Sequence, residues 1–240
     1  MIRRILQLVL GLPLYGAGCA FVVAAGLGVD PWTALAEGIA LRSGWGVGWV
    51  TNIIGLGVLA LWIPLRQRPG VGTLANILLV GTAMQLVLDV LPPIDGLLAR
   101  ILLLCGGVLT VAVASGLYIG ASFGSGPRDG LMTGLRDRLG WPLWAARGSV
   151  EITVLVIGWA LGGTLGIGTV VFALAIGPLV HVFLPLLAVD TARAGRARAA
   201  AVSAVGSAAN RRRAAGARAA HSSRSASSGS APDSHPLRPS

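Results

Sequence analysis

The sequence predicts an all-α membrane protein with six transmembrane helices, arranged as two inverted repeats of three spans that each carry a short re-entrant or interfacial helix. Three observations lead to this fold class. Only 12% of the residues are charged and the mean hydropathy is +0.77. Six apolar runs are long enough to cross a bilayer, and the first half of the chain aligns with the second half at a fixed interval.

The composition also limits the classes of function. The formal net charge of +10 would suit a nucleic-acid-binding protein, but nine of the 19 basic residues follow Asp190, so no nucleic-acid partner is expected. Cys19 and Cys105 lie in separate apolar runs, without the spacing of a disulfide framework or a metal site. The chain has no motif typical of hydrolases or ATPases. We therefore expect no enzyme, no cofactor and no metal.

The predicted spans are apolar runs that match the thickness of the hydrocarbon core. They cover about Ile5 to Gly28, Val47 to Leu65, Val71 to Leu91, Leu97 to Ala121, Trp144 to Leu161 and Gly166 to Val189. Arginines concentrate before span one, between spans two and three, between spans four and five, and after span six. Because positively charged short loops stay cytoplasmic, we expect both termini in the cytoplasm.

A shift of 96 positions aligns the sequence with itself without a gap. The matched residues shape turns: Gly28 with Gly124, Pro31 with Pro127, Gly70 with Gly166, and Thr73 with Thr169. Three spans are an odd number, so the second repeat must be inverted relative to the first, as in many secondary transporters. We predict the first repeat at residues 1–95, the second at 96–189, and a disordered tail rich in arginine, alanine and serine at 190–240.

Two segments after spans one and four, residues 31–40 and 127–136, are predicted as short helices that begin with proline after a capping residue. Each membrane face receives one of these helices and one Gly-x-Gly-Thr turn. Four helix N-termini could converge on an anion, or the glycines could simply permit tight turns and close helix approach. The residues concerned are Gly28, Asp30, Pro31, Gly70, Gly72, Thr73, Gly124, Gly126, Pro127, Gly166, Gly168 and Thr169.

Polar residues at membrane depth are the candidate substrate or coupling residues. Gln85 and His181 occupy equivalent repeat positions, where they could meet near the axis, either for proton relay or as a hydrogen bond between helices. Arg147 and Glu151 are four residues apart and should pair with each other or with Asp129, next to Arg128. Such a pair is either a structural lock or an anion contact beside a coupling site.

Several motifs resemble the YczE/YyaS/YitT-type bacterial membrane proteins, and the YczE-like branch in particular. They are Gly28-x-x-Pro31, Gly70-x-Gly72-Thr73, Gly124-x-Gly126-Pro127-x-Asp129-Gly130-Leu131-Met132, Arg147-x-x-x-Glu151, Leu161-Gly162-Gly163, Gly166-x-Gly168-Thr169 and Gly177-Pro178. The resemblance covers about residues 5 to 189 and implies a multi-pass protein of the bacterial plasma membrane.

Two functions remain open at this point. The inverted repeat and the intramembrane polar residues favour a small-solute transporter, with an anion as one substrate class. Glycine-rich surfaces such as Gly158-x-x-x-Gly162 would equally serve a scaffold or accessory protein, or a homodimer. The partners expected are the lipid bilayer, anionic lipids at the basic tail, and a small-molecule substrate.

Overall fold

The computed structural model describes residues 1–124 and 126–187. All regular secondary structure within these residues is helical. Its helices are α1 (Ile2–Ala25), α2 (Pro31–Ser43), α3 (Val47–Leu65), α4 (Val71–Val90), α5 (Leu97–Gly120), α6 (Pro127–Leu139), α7 (Leu143–Ala160) and α8 (Ile167–Leu187). The predicted tail at 190–240, like the last two residues of the second predicted repeat, lies outside the described residues.

Six of these helices, α1, α3, α4, α5, α7 and α8, are long and apolar enough to cross a membrane. They coincide with the six predicted spans, which confirms the all-α class and the number of candidate spans. The predicted run for the first span continues to Gly28, three residues past the end of α1 at Ala25, because apolar loop residues extend the hydropathy signal beyond the helix itself.

The short helices α2 and α6 begin at the predicted prolines, Pro31 and Pro127. Each runs three residues further than predicted and ends before a glycine, Gly44 or Gly140. Both therefore have 13 residues, or about 20 Å at 1.5 Å per residue, which is less than the roughly 30 Å of a hydrocarbon core.

The centre of the fold is the pair of α1 and α5, which α4 and α8 flank on opposite sides. The two central helices approach closely, because a Cβ atom at Gly18 would lie 2.9 Å from the backbone nitrogen of Val111. Cys19 is buried in this core and Cys105 is exposed, and both are free thiols. The short helices pack across the halves, α2 on α7 and α6 on α3.

Two arginines 96 positions apart make the same contacts in opposite directions. Arg4 donates from Nε to Ala121 O and from Nη2 to the next carbonyl, both at 2.8 Å. Arg100 donates from Nε to Ala25 O and from Nη2 to the next carbonyl, both at 2.6 Å. The first turn of each central helix thus carries an arginine that donates to carbonyls at the C-terminal end of the other central helix.

Candidate functional site

A cavity of about 620 Å³ lies within the helical unit, and each of the eight described helices contributes to its wall. Cavities of roughly 300–1,000 Å³ hold small organic molecules. Much of the wall is apolar. Five of the six side chains predicted as substrate or coupling residues line this cavity: Arg128, Asp129, Arg147, Glu151 and His181.

The two arginines of the wall are each paired with a carboxylate. Arg128 Nη1 lies 3.4 Å from Asp30 Oδ1, and this ion pair joins the N-terminal ends of α6 and α2. The Arg128 guanidinium also lies over the ring of Trp32, 5.0 Å from its centroid, as a cation–π contact. On α7, Arg147 Nε donates to Glu151 Oε1 at 3.0 Å, as the four-residue spacing predicts.

The carboxylate of Asp129, in the first turn of α6, has no such partner. No ion pair or side-chain hydrogen bond to it is found among residues 1–124 and 126–187, and it lines the cavity. Burial raises the pKa of the Asp129 carboxyl, and the charges of Arg147 and Arg128 lower it in part. Desolvation by the surrounding protein is the larger effect on this pKa, although Asp129 is exposed on the cavity wall, where water screens part of the effect.

Gln85 lies elsewhere, and the structure does not bring it together with His181. Its Oε1 accepts a hydrogen bond from Gly48 N at 3.0 Å, and its Nε2 donates to Asp89 Oδ1 at 2.7 Å. Equivalent sequence positions thus have different environments. Gln85 ties α4 to α3, whereas His181 lines the cavity from α8.

The Gly-x-Gly-Thr turns have their N–H groups occupied by protein acceptors. Gly72 N donates to Phe123 O at 3.0 Å, and Gly168 N donates to Leu27 O at 2.8 Å, again with equivalent residues exchanged between the halves. The first glycine of each turn bonds the threonine hydroxyl: Gly70 N to Thr73 Oγ1 at 3.2 Å and Gly166 N to Thr169 Oγ1 at 3.3 Å. These N–H groups serve the fold rather than an anion.

Gly28 and Gly124 precede the short helices where the backbone approaches the opposite turn. Their φ angles are 109° and 127°, which side chains rarely tolerate. A Cβ atom at Gly28 would also lie 2.5 Å from Gly166 N. The structure therefore supports the packing interpretation of these glycines over the convergence of four free N-termini.

The N-termini of the two short helices differ from each other. Asp30 Oδ1 accepts from Trp32 N at 3.1 Å and from Thr33 N at 3.3 Å, so its side chain caps α2 as predicted. Gly126 has no side chain with which to cap α6, and Gly126 and Pro127 line the cavity. Of the four predicted helix N-termini, that of α6 is the one whose first N–H groups have no acceptor from the protein among the described contacts.

The two halves also differ in how their second and third spans pack. A Cβ atom at Gly48 or Gly81 would overlap a carbonyl oxygen of the other helix, so α3 and α4 are in backbone contact. In the second half, Trp144 stands at the position equivalent to Gly48. Gly177 is equivalent to Gly81, and a Cβ atom at Gly177 would have no neighbouring atom within 4 Å. Over their described lengths α7 and α8 do not pack along each other, and both line the cavity.

Comparison with known proteins places this arrangement in a family. Residues 2–185 match the model of a family of unknown function, DUF6198. The chain belongs to this family. An uncharacterized protein of Haemophilus influenzae is 38% identical over 186 residues, which cover 78% of the chain and 85% of that protein.

Two Bacillus subtilis proteins confirm the resemblance to YczE and YyaS. The uncharacterized membrane protein YczE is 32% identical over 96 residues, 40% of the chain and 45% of that protein. The uncharacterized protein YyaS is 26% identical over 182 residues, 74% of the chain and 90% of that protein. No solved structure matches. The DUF6198 chain is thus a polytopic helical membrane protein.

A second pocket of this DUF6198 protein, of about 560 Å³, lies beside Glu37, Trp45 and Gln85. Glu37 Oε2 accepts a hydrogen bond from Thr164 N at 2.8 Å. Burial raises the pKa of the Glu37 carboxyl, and this hydrogen bond lowers it in part. Arg42 Nε donates to Leu161 O at 3.2 Å, so two side chains of α2 hold the connection between α7 and α8.

Several residues of the DUF6198 cavity were not predicted from the sequence, among them Tyr15, Trp32 and Tyr118. A signal was present for Tyr15. The chain contains two tyrosines: Tyr15 lies in the middle of α1, away from the helix ends where interfacial tyrosines are enriched, and Tyr118 lies near the end of α5. Glu37 carried a weaker signal, as a lone acid on a short helix.

Proposed function

We propose that this DUF6198 protein is a small-solute transporter, without catalytic activity, whose substrate site is the central cavity. The observation that carries the proposal is the cavity itself, which all eight helices line and in which charged side chains of both halves lie together. Ionisable groups at membrane depth are costly and are retained mainly along substrate or ion pathways.

An inverted repeat forms part of the proposal. Support comes from the paired contacts in which residues 96 positions apart exchange roles, namely those of Arg4 with Arg100 and of Gly72 with Gly168. Repeats of this kind move against each other around a central site in many transporters. In this arrangement α2 and α6 are re-entrant helices whose N-terminal ends meet at the cavity through Asp30 and Arg128.

The orientation belongs to the same proposal. The distribution of arginines between the spans supports a cytoplasmic position for both termini, with the protein in the bacterial plasma membrane. The basic tail would then lie beside the anionic lipids of the cytoplasmic leaflet.

The test is ligand-dependent thermal stabilisation of the purified, detergent-solubilised chain, with a panel of small anions, cations, amino acids and neutral metabolites. A ligand that stabilises the wild type and whose effect is lost or changed in Arg147→Ala or Glu151→Gln supports a substrate site. Arg136→Ala, an exposed arginine of α6 away from the cavity, is the matched control. Uptake of that ligand into proteoliposomes then tests transport, and a full panel without effect contradicts the proposal.

A scaffold or accessory protein is the second candidate, favoured by the unpacked gap between α7 and α8. Within the described part of the chain, a Cβ atom at Gly148 or Gly177 would have no neighbour within 4 Å, so a helix of a partner or of a second copy could approach there. Substitution of both glycines by leucine should then disrupt a purified complex or homodimer. If the gap belongs only to the cavity, the same substitutions should leave any complex or homodimer intact.

A further inference from the structure

The charges of the cavity wall indicate which class of solute it takes. Three carboxylates, those of Asp30, Asp129 and Glu151, face two guanidinium groups, those of Arg128 and Arg147. Each arginine already has a carboxylate partner, at 3.4 Å and at 3.0 Å. One carboxylate, that of Asp129, is left over.

An anion finds little to bind in this arrangement. Each guanidinium keeps N–H donors that its carboxylate does not use, but an anion bound there would lie beside that carboxylate and be repelled by it. The N-termini of α2 and α6 each contribute roughly half a positive charge, which brings the wall close to neutrality without freeing a cationic side chain. A cation, in contrast, finds in Asp129 a carboxylate without a partner in the described chain.

The remaining wall favours an organic cation over a metal ion. Ca²⁺ takes six to eight oxygen ligands, whereas much of this lining is apolar or aromatic. Tyr15, Tyr118 and Phe172 line the cavity together with aliphatic side chains of α3, α4 and α8. They can cover the hydrocarbon part of a solute whose positive group lies at Asp129.

From these observations, and resting on the proposed function, we infer that the cavity binds an organic monocation at Asp129 in exchange for a proton. When the cation arrives, the O–H bond of the neutral Asp129 carboxyl breaks, its proton passes to water, and the carboxylate pairs with the cation. When the cation leaves, a proton returns to the same oxygen. One site that holds either a proton or a cation couples their movements in opposite directions.

The groups around Asp129 set the pH range of this exchange. The titratable and charged side chains that line the cavity with it come from five helices and the α2 cap: Tyr15, Asp30, Tyr118, Arg128, Arg147, Glu151 and His181. The described lining residues of α3 and α4 carry no titratable side chain. Because the Asp129 carboxyl has a raised pKa, protons compete with the cation at higher pH than they would at an aspartate in water.

The experiment is isothermal titration calorimetry of the full chain in detergent with benzyltrimethylammonium as the cationic probe. Benzoate and benzyl alcohol have a similar ring and are the anionic and neutral comparisons. Titrations in two buffers of different ionisation enthalpy report the protons released on binding. We expect the cation to bind, to release a proton at mildly acidic pH, and to bind more tightly as the pH rises.

Asp129→Asn should weaken the binding of the cation about tenfold or more, since an interaction with a charged partner is lost, and should abolish proton release. Asp129→Glu should retain both. Asp137→Asn is the matched control, because Asp137 lies on the same helix, is exposed, and accepts a hydrogen bond from Gln67 Nε2 at 3.3 Å outside the cavity. It should bind like the wild type.

Three results would overturn the inference: binding of the cation without proton release, an Asp129→Asn variant that binds as the wild type does, or binding of benzoate alone. If benzoate alone binds, and its binding depends on Arg147, the proposed solute site stands and only the preference for a cation is refuted. Failure of every ligand in the wider panel refutes both. If the melting curve shows that Asp129→Asn does not fold, proton release on cation binding is instead compared between the wild type and Asp129→Glu. Release by both supports the inference, and its absence from both contradicts it.

Discussion

Glu37 is a residue whose environment predicts a pH-dependent stability. It is buried, with 8% of its surface exposed, and its carboxyl pKa is raised from 4.5 by desolvation. The folded state therefore binds this proton more tightly than the unfolded state. The free energy of unfolding should fall as the pH rises from 4.5 through the raised pKa, by about 1.4 kcal/mol for each pH unit that separates the two pKa values.

Glu37→Gln should remove this dependence, because glutamine keeps an acceptor oxygen for Thr164 N and cannot ionise. We expect the variant to melt at the wild-type temperature at acidic pH and above it at neutral pH. Thermal unfolding in detergent across the pH range is the measurement. Asp95→Asn, at an exposed loop acid, should follow the wild type, and a Glu37→Gln profile parallel to the wild type would contradict the prediction.

Single residues also mark how far the site could be predicted from the sequence. The pair of Arg147 and Glu151 follows from helical spacing, because residues four apart share a face. The pair of Asp30 and Arg128 joins separate halves of the chain, and no local pattern indicates it. Gln85 and His181 occupy equivalent positions but have different neighbours, because their surrounding residues differ between the repeats.

The helices themselves were more predictable than their contacts. Hydropathy reports the transfer of a segment into lipid, which depends on composition alone, and it therefore found all six long helices. The ends of the short helices depend on weaker signals. Proline and an N-cap indicated the starts of α2 and α6, whereas each helix continues until a glycine, Gly44 or Gly140, whose left-handed backbone ends it.

The contact between α3 and α4 makes a prediction about helix packing. Gly81→Ala would place a methyl group against Asn52 Oδ1 and the Gly48 carbonyl oxygen, so we expect a loss of stability of about 1–3 kcal/mol from overpacking. Its repeat equivalent, Gly177→Ala, meets open space and should leave the melting temperature unchanged or raise it, since alanine favours the helix. Thermal unfolding of both variants in the same detergent checks the difference, and equal losses would mean that α7 and α8 pack as α3 and α4 do.

The arginines at the starts of the central helices make a second prediction at this scale. Arg4→Gln and Arg100→Gln should each cost about 1–2 kcal/mol, because each removes charged hydrogen bonds to carbonyls beyond a helix C-terminus. Arg3→Gln is the control for Arg4, since it removes the same charge from the same segment. Arg3 has none of these bonds within residues 1–124 and 126–187. Comparable melting temperatures for Arg3→Gln and Arg4→Gln would contradict the role assigned to Arg4.

At the scale of the whole molecule, a few substitutions between the repeats account for the open gap. In the first half Gln85 bonds Gly48 N, and Asn52 Nδ2 donates to Thr82 Oγ1 at 3.0 Å, which ties α3 to α4. The second half has Trp144, Gly148 and His181 at the positions equivalent to Gly48, Asn52 and Gln85. It thus lacks the polar ties and has a large ring where close approach needs a glycine. The α3–α4 pair is therefore closed and the α7–α8 pair is open, and the cavity has Arg147 and Glu151 of α7 and His181 of α8 in its wall.

The inverted orientation proposed for the two repeats predicts where two equivalent residues lie relative to the membrane. Ser43 and Leu139 are the last residues of α2 and α6, 96 positions apart, and both are exposed. In a background with Cys19→Ala and Cys105→Ala, Ser43→Cys should react with a membrane-impermeant maleimide added to intact cells. Leu139→Cys should react only after the membrane is permeabilised, because the arginine-rich segment between spans α5 and α7, with Arg136 and Arg138 in the last turn of α6, is expected on the cytoplasmic side. Labelling of both cysteines from the same side would mean that the two halves have the same orientation in the membrane. Three spans in each half do not allow this, so that result would contradict the proposed topology.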